Sequence, residues 1–121
     1  MGEAKKTDWI RVAYHINEID FAANSIAVMK VKGKTICLGR KGEEVFAFAH
    51  KCPHASGIMA DGFIDALGYI TCPLHRYKFD IRNGRNVSGE GYYLKTWPVL
   101  QKEDGVYVGM EPSHGFRDIF G

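Results

Sequence analysis

The sequence predicts an all-β fold, an antiparallel β-sandwich or small barrel, and three observations support that prediction. Turn signals built around glycine recur at short intervals along the chain. The stretches between them are rich in β-branched and aromatic residues, which favour strands. No long stretch repeats its apolar residues with the period of an amphipathic helix. The turn signals are Gly33, Gly42, Asp61-Gly62, Asn83-Gly84 and Asp104-Gly105.

Eight segments between the turns have the strand pattern, and one of them shows two distinct faces. In EVFAFAH, Val45 and two alanines alternate with Phe46, Phe48 and His50. Since successive side chains of a strand point to opposite faces, one face could pack inward and the other against a second layer. The segment NEIDFAAN fits either one helical turn or a loop. The eight predicted strands are WIRVAYH, SIAVMKV, TICLGRK, EVFAFAH, YITC, YKFDI, YLKTWPVL and GVYVGM.

Length and composition are those of an ordinary globular protein. The 121 residues fit a single domain over residues 1–121, and 45% of them are hydrophobic. The net charge is +2 and is spread along the chain. We therefore expect neither nucleic acid nor a membrane as a partner.

The cysteine content and the absence of apolar segments predict a soluble, cytoplasmic protein. The stretch MGEAKKTDWIRVAYHINEID lacks the apolar segment of a secretory signal. No run approaches the roughly 20 apolar residues that span a membrane. The count of three cysteines is low and odd, which argues against a disulfide framework and suits a reducing compartment. We expect Cys37, in the middle of a predicted strand, to be a packed core residue.

The region of about residues 50–80 differs from the rest in carrying two cysteine–histidine pairs. Cys52 is paired with His54, and Cys72 with His75, and seventeen residues separate the two pairs. Each pair encloses a proline and follows a strand-like segment. Loops held by a rigid sheet are favourable positions for a site. We expect a small subdomain over about residues 50–80 that brings the two loops together.

Thiolates and imidazoles are natural ligands of zinc and of iron–sulfur clusters. A cluster with two irons needs two protein ligands for each iron, so two cysteines could bind one iron and two histidines the other. Each loop offers one residue of each type, and each loop would then contact both irons. A structural zinc site stays open as an alternative. Zinc fingers, however, usually pair cysteine with cysteine and histidine with histidine, and the surrounding β pattern is not that of a finger.

The motif CPH, followed after seventeen residues by CPLH, resembles the Rieske 2Fe–2S motif. YKFD, RNGR, TWPV and DGVYV resemble the continuation of that family, so the likeness covers roughly residues 9–109. It implies a Rieske-like fold with a cluster-binding subdomain and a 2Fe–2S cluster as cofactor. It also implies that Cys52 and Cys72 bind the inner iron, and that His54 and His75 bind the outer iron near the surface.

Departures from the family pattern bear on the reduction potential. High-potential members carry an extra cysteine in each loop, joined by a disulfide, and donate hydroxyl hydrogen bonds to the cluster and a ligand sulfur. The matching places here are Gly57 and Leu74 for the cysteines, and Tyr77 and Phe79 for the hydroxyl donors. No bridge can form, and Phe79 has no hydroxyl group. We therefore expect a potential in the lower half of the Rieske range, which is roughly −150 to +300 mV.

Basic residues lie close to the predicted ligands in sequence. Arg76 stands where many members of the family have glycine, and Lys51 and Lys78 flank the two motifs. One hypothesis is that the cluster end is basic and meets an acidic partner. The alternative, that these are solvated charges without a partner, stays open.

The resemblance is greatest to a Rieske-type ferredoxin. It implies a one-electron carrier that passes electrons from a reductase to a terminal oxygenase or another redox enzyme, with those proteins as partners and no catalytic residues of its own. Whether the protein belongs to an enzyme stays open. The alternatives are the small subunit of a nitrite-reductase-like complex and a cluster-based redox sensor.

Overall fold

The structure is a computed structural model that describes residues 7–53 and 57–112. Regular structure in these ranges is almost entirely β, with two short 3-10 helices at Ile16–Glu18 and Met59–Asp61. The described part of the chain contains no helix with the length and apolar character needed to cross a membrane. The strands are β1 (Asp8–Ala13), β2 (Ile26–Val31), β3 (Lys34–Lys41), β4 (Glu44–Ala49), β5 (Phe63–Ile64), β6 (Tyr69–Thr71), β7 (Lys78–Asp80), β8 (Thr96–Trp97), β9 (Val99–Lys102) and β10 (Gly105–Met110).

The strands form three sheets in which every pair of neighbours is antiparallel. A central sheet has the order β2-β3-β4-β8, and a second sheet has the order β1-β10-β9. A third, smaller sheet has the order β5-β6-β7. The prediction of an antiparallel all-β fold is confirmed.

The central sheet separates two hydrophobic cores, as the alternation in EVFAFAH indicated. Val45 and Ala47 on one face of β4 belong to a first core, shared with the β1-β10-β9 sheet. Phe48 on the other face is fully buried in a second core, shared with the small β5-β6-β7 sheet. Strand β3 is divided in the same way, since Leu38 belongs to the first core and Cys37 to the second. Cys37 is fully buried, as expected for a packed residue.

Two of the sequence expectations were too coarse. The segment YLKTWPVL is not one strand, because the chain changes sheets at Pro98: β8 pairs with β4, and β9 pairs with β10. Proline has no N–H to donate to a ladder, but the carbonyl of Pro98 accepts a hydrogen bond from the Gly109 N–H at 2.9 Å. The two-residue strand β5 was missed because it is too short to show an alternating pattern. The segment NEIDFAAN, left open above, lies partly in the first 3-10 helix.

One side chain ties the central sheet to the region that carries the cysteine–histidine pairs. The Asn24 amide, just before β2, donates hydrogen bonds to the carbonyls of Ala60 and Gly62, both at 2.8 Å. Its own carbonyl oxygen accepts a hydrogen bond from the Ile26 N–H at 3.3 Å. A partly buried asparagine therefore holds the second 3-10 helix against the sheet.

We expect Asn24→Ala to lower the free energy of unfolding by about 2 kcal/mol, because two carbonyls lose their donor and each such bond contributes about 1 kcal/mol. The melting temperature should fall by about 8 °C in a thermal denaturation. Asn17→Ala is the matched control, since the Asn17 side chain is exposed. Equal effects of the two substitutions would contradict the role assigned to Asn24.

Candidate metal centre

Two loops of the same construction hold the described cysteines. In the first, the N–H of Cys52 donates to the carbonyl of Gly57 at 2.8 Å. In the second, the N–H of Cys72 donates to the carbonyl of Tyr77, also at 2.8 Å. In both loops the cysteine N–H therefore closes the loop on a carbonyl five residues further along. The first loop follows β4, and the second joins β6 to β7.

The two thiols are buried side by side in the second core. Cys52 is 4% exposed and Cys72 is 0% exposed. Burial raises the pKa of the Cys72 thiol above its ordinary value. The adjacent Cys52 thiol raises the pKa further, while a hydrogen bond from the Leu74 N–H to the Cys72 sulfur lowers it. Two adjacent buried thiols are a pair that gives up its protons when a metal binds the sulfurs.

The described histidine occupies a different environment from the thiols. His75 is exposed, and its ring centroid lies 6.3 Å from that of Tyr77. The Tyr77 ring is stacked on Tyr92, with centroids 5.9 Å apart and an interplanar angle of 25°. Tyr92 therefore contacts the second loop through Tyr77. In the second loop, therefore, the imidazole of His75 lies on the solvent side and the thiol of Cys72 lies on the core side.

The backbone of the second loop explains a residue preference noted in the sequence. His75 has a φ of +72° and Arg76 a φ of +61°, both in the left-handed region. Glycine enters this region without the steric penalty of a Cβ, which is a physical reason for glycine at the position after the histidine. Arg76 adopts the conformation nevertheless, and its side chain is exposed.

Gly57 lies where the two loops touch. A Cβ added at Gly57 would lie 2.7 Å from the Cys72 sulfur and 3.1 Å from the Leu74 Cβ. Positions 57 and 74 therefore adjoin, with a separation shorter than the roughly 3.8 Å between the Cβ atoms of a typical disulfide. Neither residue is a cysteine, and the space beside the sulfur stays free of a side chain.

A polar turn between β7 and β8 precedes the exposed Tyr92 in the chain, and the turn signals considered from the sequence did not include it. Asn86 accepts hydrogen bonds from the N–H groups of Glu90 and Gly91, at 2.6 and 3.0 Å. The Ser88 hydroxyl accepts one from the Lys78 N–H at 2.9 Å. Asparagine followed by serine and glycine is a turn signal that could have indicated this loop.

The described residues fit a two-iron cluster in the chemistry of their donors. Buried thiols suit sulfur-ligated iron, and an exposed imidazole suits an outer iron near the surface. His54 lies outside the described residues, so the set Cys52, His54, Cys72 and His75 stays a prediction. Among residues 7–53 and 57–112, no three His, Cys, Asp or Glu side chains converge where one metal ion could bind. A cluster with two irons offers two metal positions, and its ligands need not converge on one point.

Comparison with known proteins gives a consistent result. Residues 8–98 match the family described as "Rieske [2Fe-2S] domain". The ferredoxin component of the naphthalene 1,2-dioxygenase/salicylate 5-hydroxylase systems of Ralstonia sp. is 32% identical over 93 residues, covering 76% of this chain and 88% of its own. The ferredoxin component of the naphthalene 1,2-dioxygenase system of Pseudomonas aeruginosa is 36% identical over 81 residues, covering 66% and 77%.

A solved structure shares the fold. The ferredoxin of carbazole 1,9a-dioxygenase from Nocardioides aromaticivorans superposes with a TM-score of 0.72 at 22% identity. The superposition covers 85% of this chain and 98% of that ferredoxin.

Proposed function

Because the chain belongs to the Rieske [2Fe–2S] domain family and has a Rieske-type 2Fe–2S cluster as its cofactor, we propose that it carries single electrons from a reductase to a terminal oxygenase. The observation that carries this proposal is the contrast between the two buried thiols, Cys52 and Cys72, and the exposed imidazole of His75, which lies in the same loop as Cys72. Such an arrangement keeps one side of a cofactor in the core and presents the other to a partner. The relatives named as ferredoxin components of dioxygenase systems support the choice of an oxygenase as acceptor.

The proposed ligands divide by burial. Cys52 and Cys72 would hold the inner iron, and His54 and His75 the outer one. When bound, the cluster supplies the one-electron chemistry, and the chain determines its potential, its access to solvent and its docking. The core around the sulfurs excludes water, and the Leu74 N–H donates a hydrogen bond to the Cys72 sulfur. Because His75 is exposed, a partner protein that contacts its imidazole would be close to the outer iron, which shortens the distance for electron transfer.

Removal of any one proposed ligand should abolish the Rieske-type EPR and visible spectra, because two irons need all four donors. The substitutions are Cys52→Ser, His54→Ala, Cys72→Ser and His75→Ala. Cys37→Ser is the matched control: Cys37 is also a buried, free cysteine, but it lies on strand β3. An intact Rieske spectrum in any of the four variants, or its loss in Cys37→Ser alone, would overturn the ligand assignment.

The reduction potential should lie in the lower half of the range of roughly −150 to +300 mV. Hydrogen bonds from hydroxyl groups to the sulfurs remove electron density and make reduction easier. Phe79, in the place of one such donor, is fully buried in the second core and has no hydroxyl. A spectroelectrochemical titration gives the potential directly, and a value near the top of the range would defeat the argument.

The surface around His75 combines cationic and apolar groups, which supports a docking role. Arg76 and Lys78 are exposed on the second loop and β7. Leu74 and Tyr92 are each 42% exposed, so apolar groups also reach the surface here. An acidic partner surface with an apolar centre would complement this patch.

Charge reversal by Arg76→Glu should slow electron transfer to the acceptor at low ionic strength, by about tenfold, because steering by surface charge changes association rates. The difference should shrink as salt is added. Arg76→Gly is the comparison variant. It removes the cation without adding an anion, and glycine adopts the left-handed backbone conformation of this position without strain. Stopped-flow rates measured over a series of salt concentrations check this, and an unchanged rate for Arg76→Glu at low salt counts against docking here.

Two alternatives make different predictions about partners. A subunit of a nitrite-reductase-like complex would co-purify with a large subunit, whereas a carrier is isolated alone with reversible redox behaviour. A redox sensor would bind its target differently in the two oxidation states of the cluster. The three cysteines, all within the described residues, form no disulfide, which supports the proposal of a cytoplasmic location, because disulfides are rare in a reducing compartment.

A further inference from the structure

A cavity of about 440 Å³ lies at one end of the central sheet, beside the strand that leads into the first loop. Residues from the start of β3, from β8 and from positions 49–51 line it, together with Glu111 after β10. Its volume is within the range of small-molecule sites, roughly 300–1,000 Å³. Among the described residues, neither the cysteines of the two loops nor His75 line this cavity.

The cavity carries a positive charge that is only partly compensated. Of the residues that the structure describes, three lysines line it, at positions 34, 51 and 95, with Glu111 as the one acidic lining residue. Glu111 is bound to Lys95 at 2.7 Å. That hydrogen bond is the main reason that the pKa of Glu111 is lowered to about 2, so its charge is present at neutral pH. Within the described ranges, the ammonium groups of Lys34 and Lys51 have no ion-pair or hydrogen-bond partner.

The wall of the cavity already binds a carboxylate group of the chain itself. The indole N–H of Trp97 donates to the Glu111 carboxylate at 3.3 Å, opposite the contact with Lys95. Trp97 is 7% exposed, and Ala49 next to it is half-buried, so the wall is apolar between its charged groups. A cationic rim with an apolar wall is complementary to an anion that has an apolar body.

We propose that this cavity binds a small organic carboxylate, with its carboxylate group held by Lys34 and Lys51 and its apolar body against Trp97 and Ala49. The two free ammonium groups supply the charge complement, and the Thr35 hydroxyl at the same end of β3 offers a further hydrogen bond. A cation is excluded by the net charge of the lining. The site adjoins the base of the first loop. His50, a residue of the cavity lining, precedes that loop, and its carbonyl accepts a hydrogen bond from the N–H of Met59, which follows the loop, at 2.8 Å.

The test is isothermal titration calorimetry on the cluster-loaded full chain at low ionic strength, with sodium benzoate, sodium acetate and inorganic phosphate in separate titrations. We expect saturable binding of one benzoate per chain. Acetate should bind more weakly, because it lacks the body that would cover the indole wall. Phosphate binding without benzoate binding, or no saturable binding of benzoate, would overturn the proposal.

Lysine variants locate the bound anion. Lys34→Gln and Lys51→Gln should each weaken benzoate binding by about threefold or more, the effect of one exposed ion pair. Lys41→Gln is the matched control, because it removes the same charge from the other end of β3. Equal weakening in Lys41→Gln would show that only net charge matters and would overturn the assignment. Circular dichroism confirms that each variant keeps its β content.

Discussion

Two backbone hydrogen bonds, one in each cysteine loop, are the constraint on which the candidate metal centre depends. Each runs from a cysteine N–H to a carbonyl five residues later, at 2.8 Å in both loops. Because the donor belongs to the cysteine itself, closing the loop also fixes the direction in which the thiol leaves the backbone. The loops then touch at Gly57, whose backbone lies directly beside the buried sulfur of Cys72.

The burial of the thiols and the exposure of the imidazole follow from where these loops start. Both cysteines come directly after segments whose side chains pack in the second core, so their sulfurs remain in an apolar environment. Two uncompensated thiolates would be costly there, and a metal cofactor removes that cost. His75 itself has a left-handed backbone conformation, and its side chain is exposed at the surface rather than buried in the core.

The central sheet gives the molecule two cores with different tasks. The first core, between the β2-β3-β4-β8 and β1-β10-β9 sheets, holds the scaffold together without any proposed ligand. The second contains Cys52 and Cys72 among its members and so links the cofactor to the packing of Phe48 and Phe79. Asn24 connects the central sheet to the second 3-10 helix by hydrogen bonds to the carbonyls of Ala60 and Gly62. Electron transfer benefits from such a rigid support, because the ligands of a metal have to keep their positions in both oxidation states.

The all-β character, the two faces of β4 and the spacing of the cysteine–histidine pairs could be predicted from the amino-acid sequence. These are local properties: alternation with a period of two, glycine turns and ligand spacing all depend on neighbouring residues. Three other features became visible only in the folded chain: it changes sheets at Pro98, Tyr92 stacks on Tyr77, and Gly57 faces the Cys72 sulfur. The cavity beside Trp97 belongs to the same group. Each of these depends on contacts between residues far apart in the chain, and no local pattern specifies which distant segments will meet.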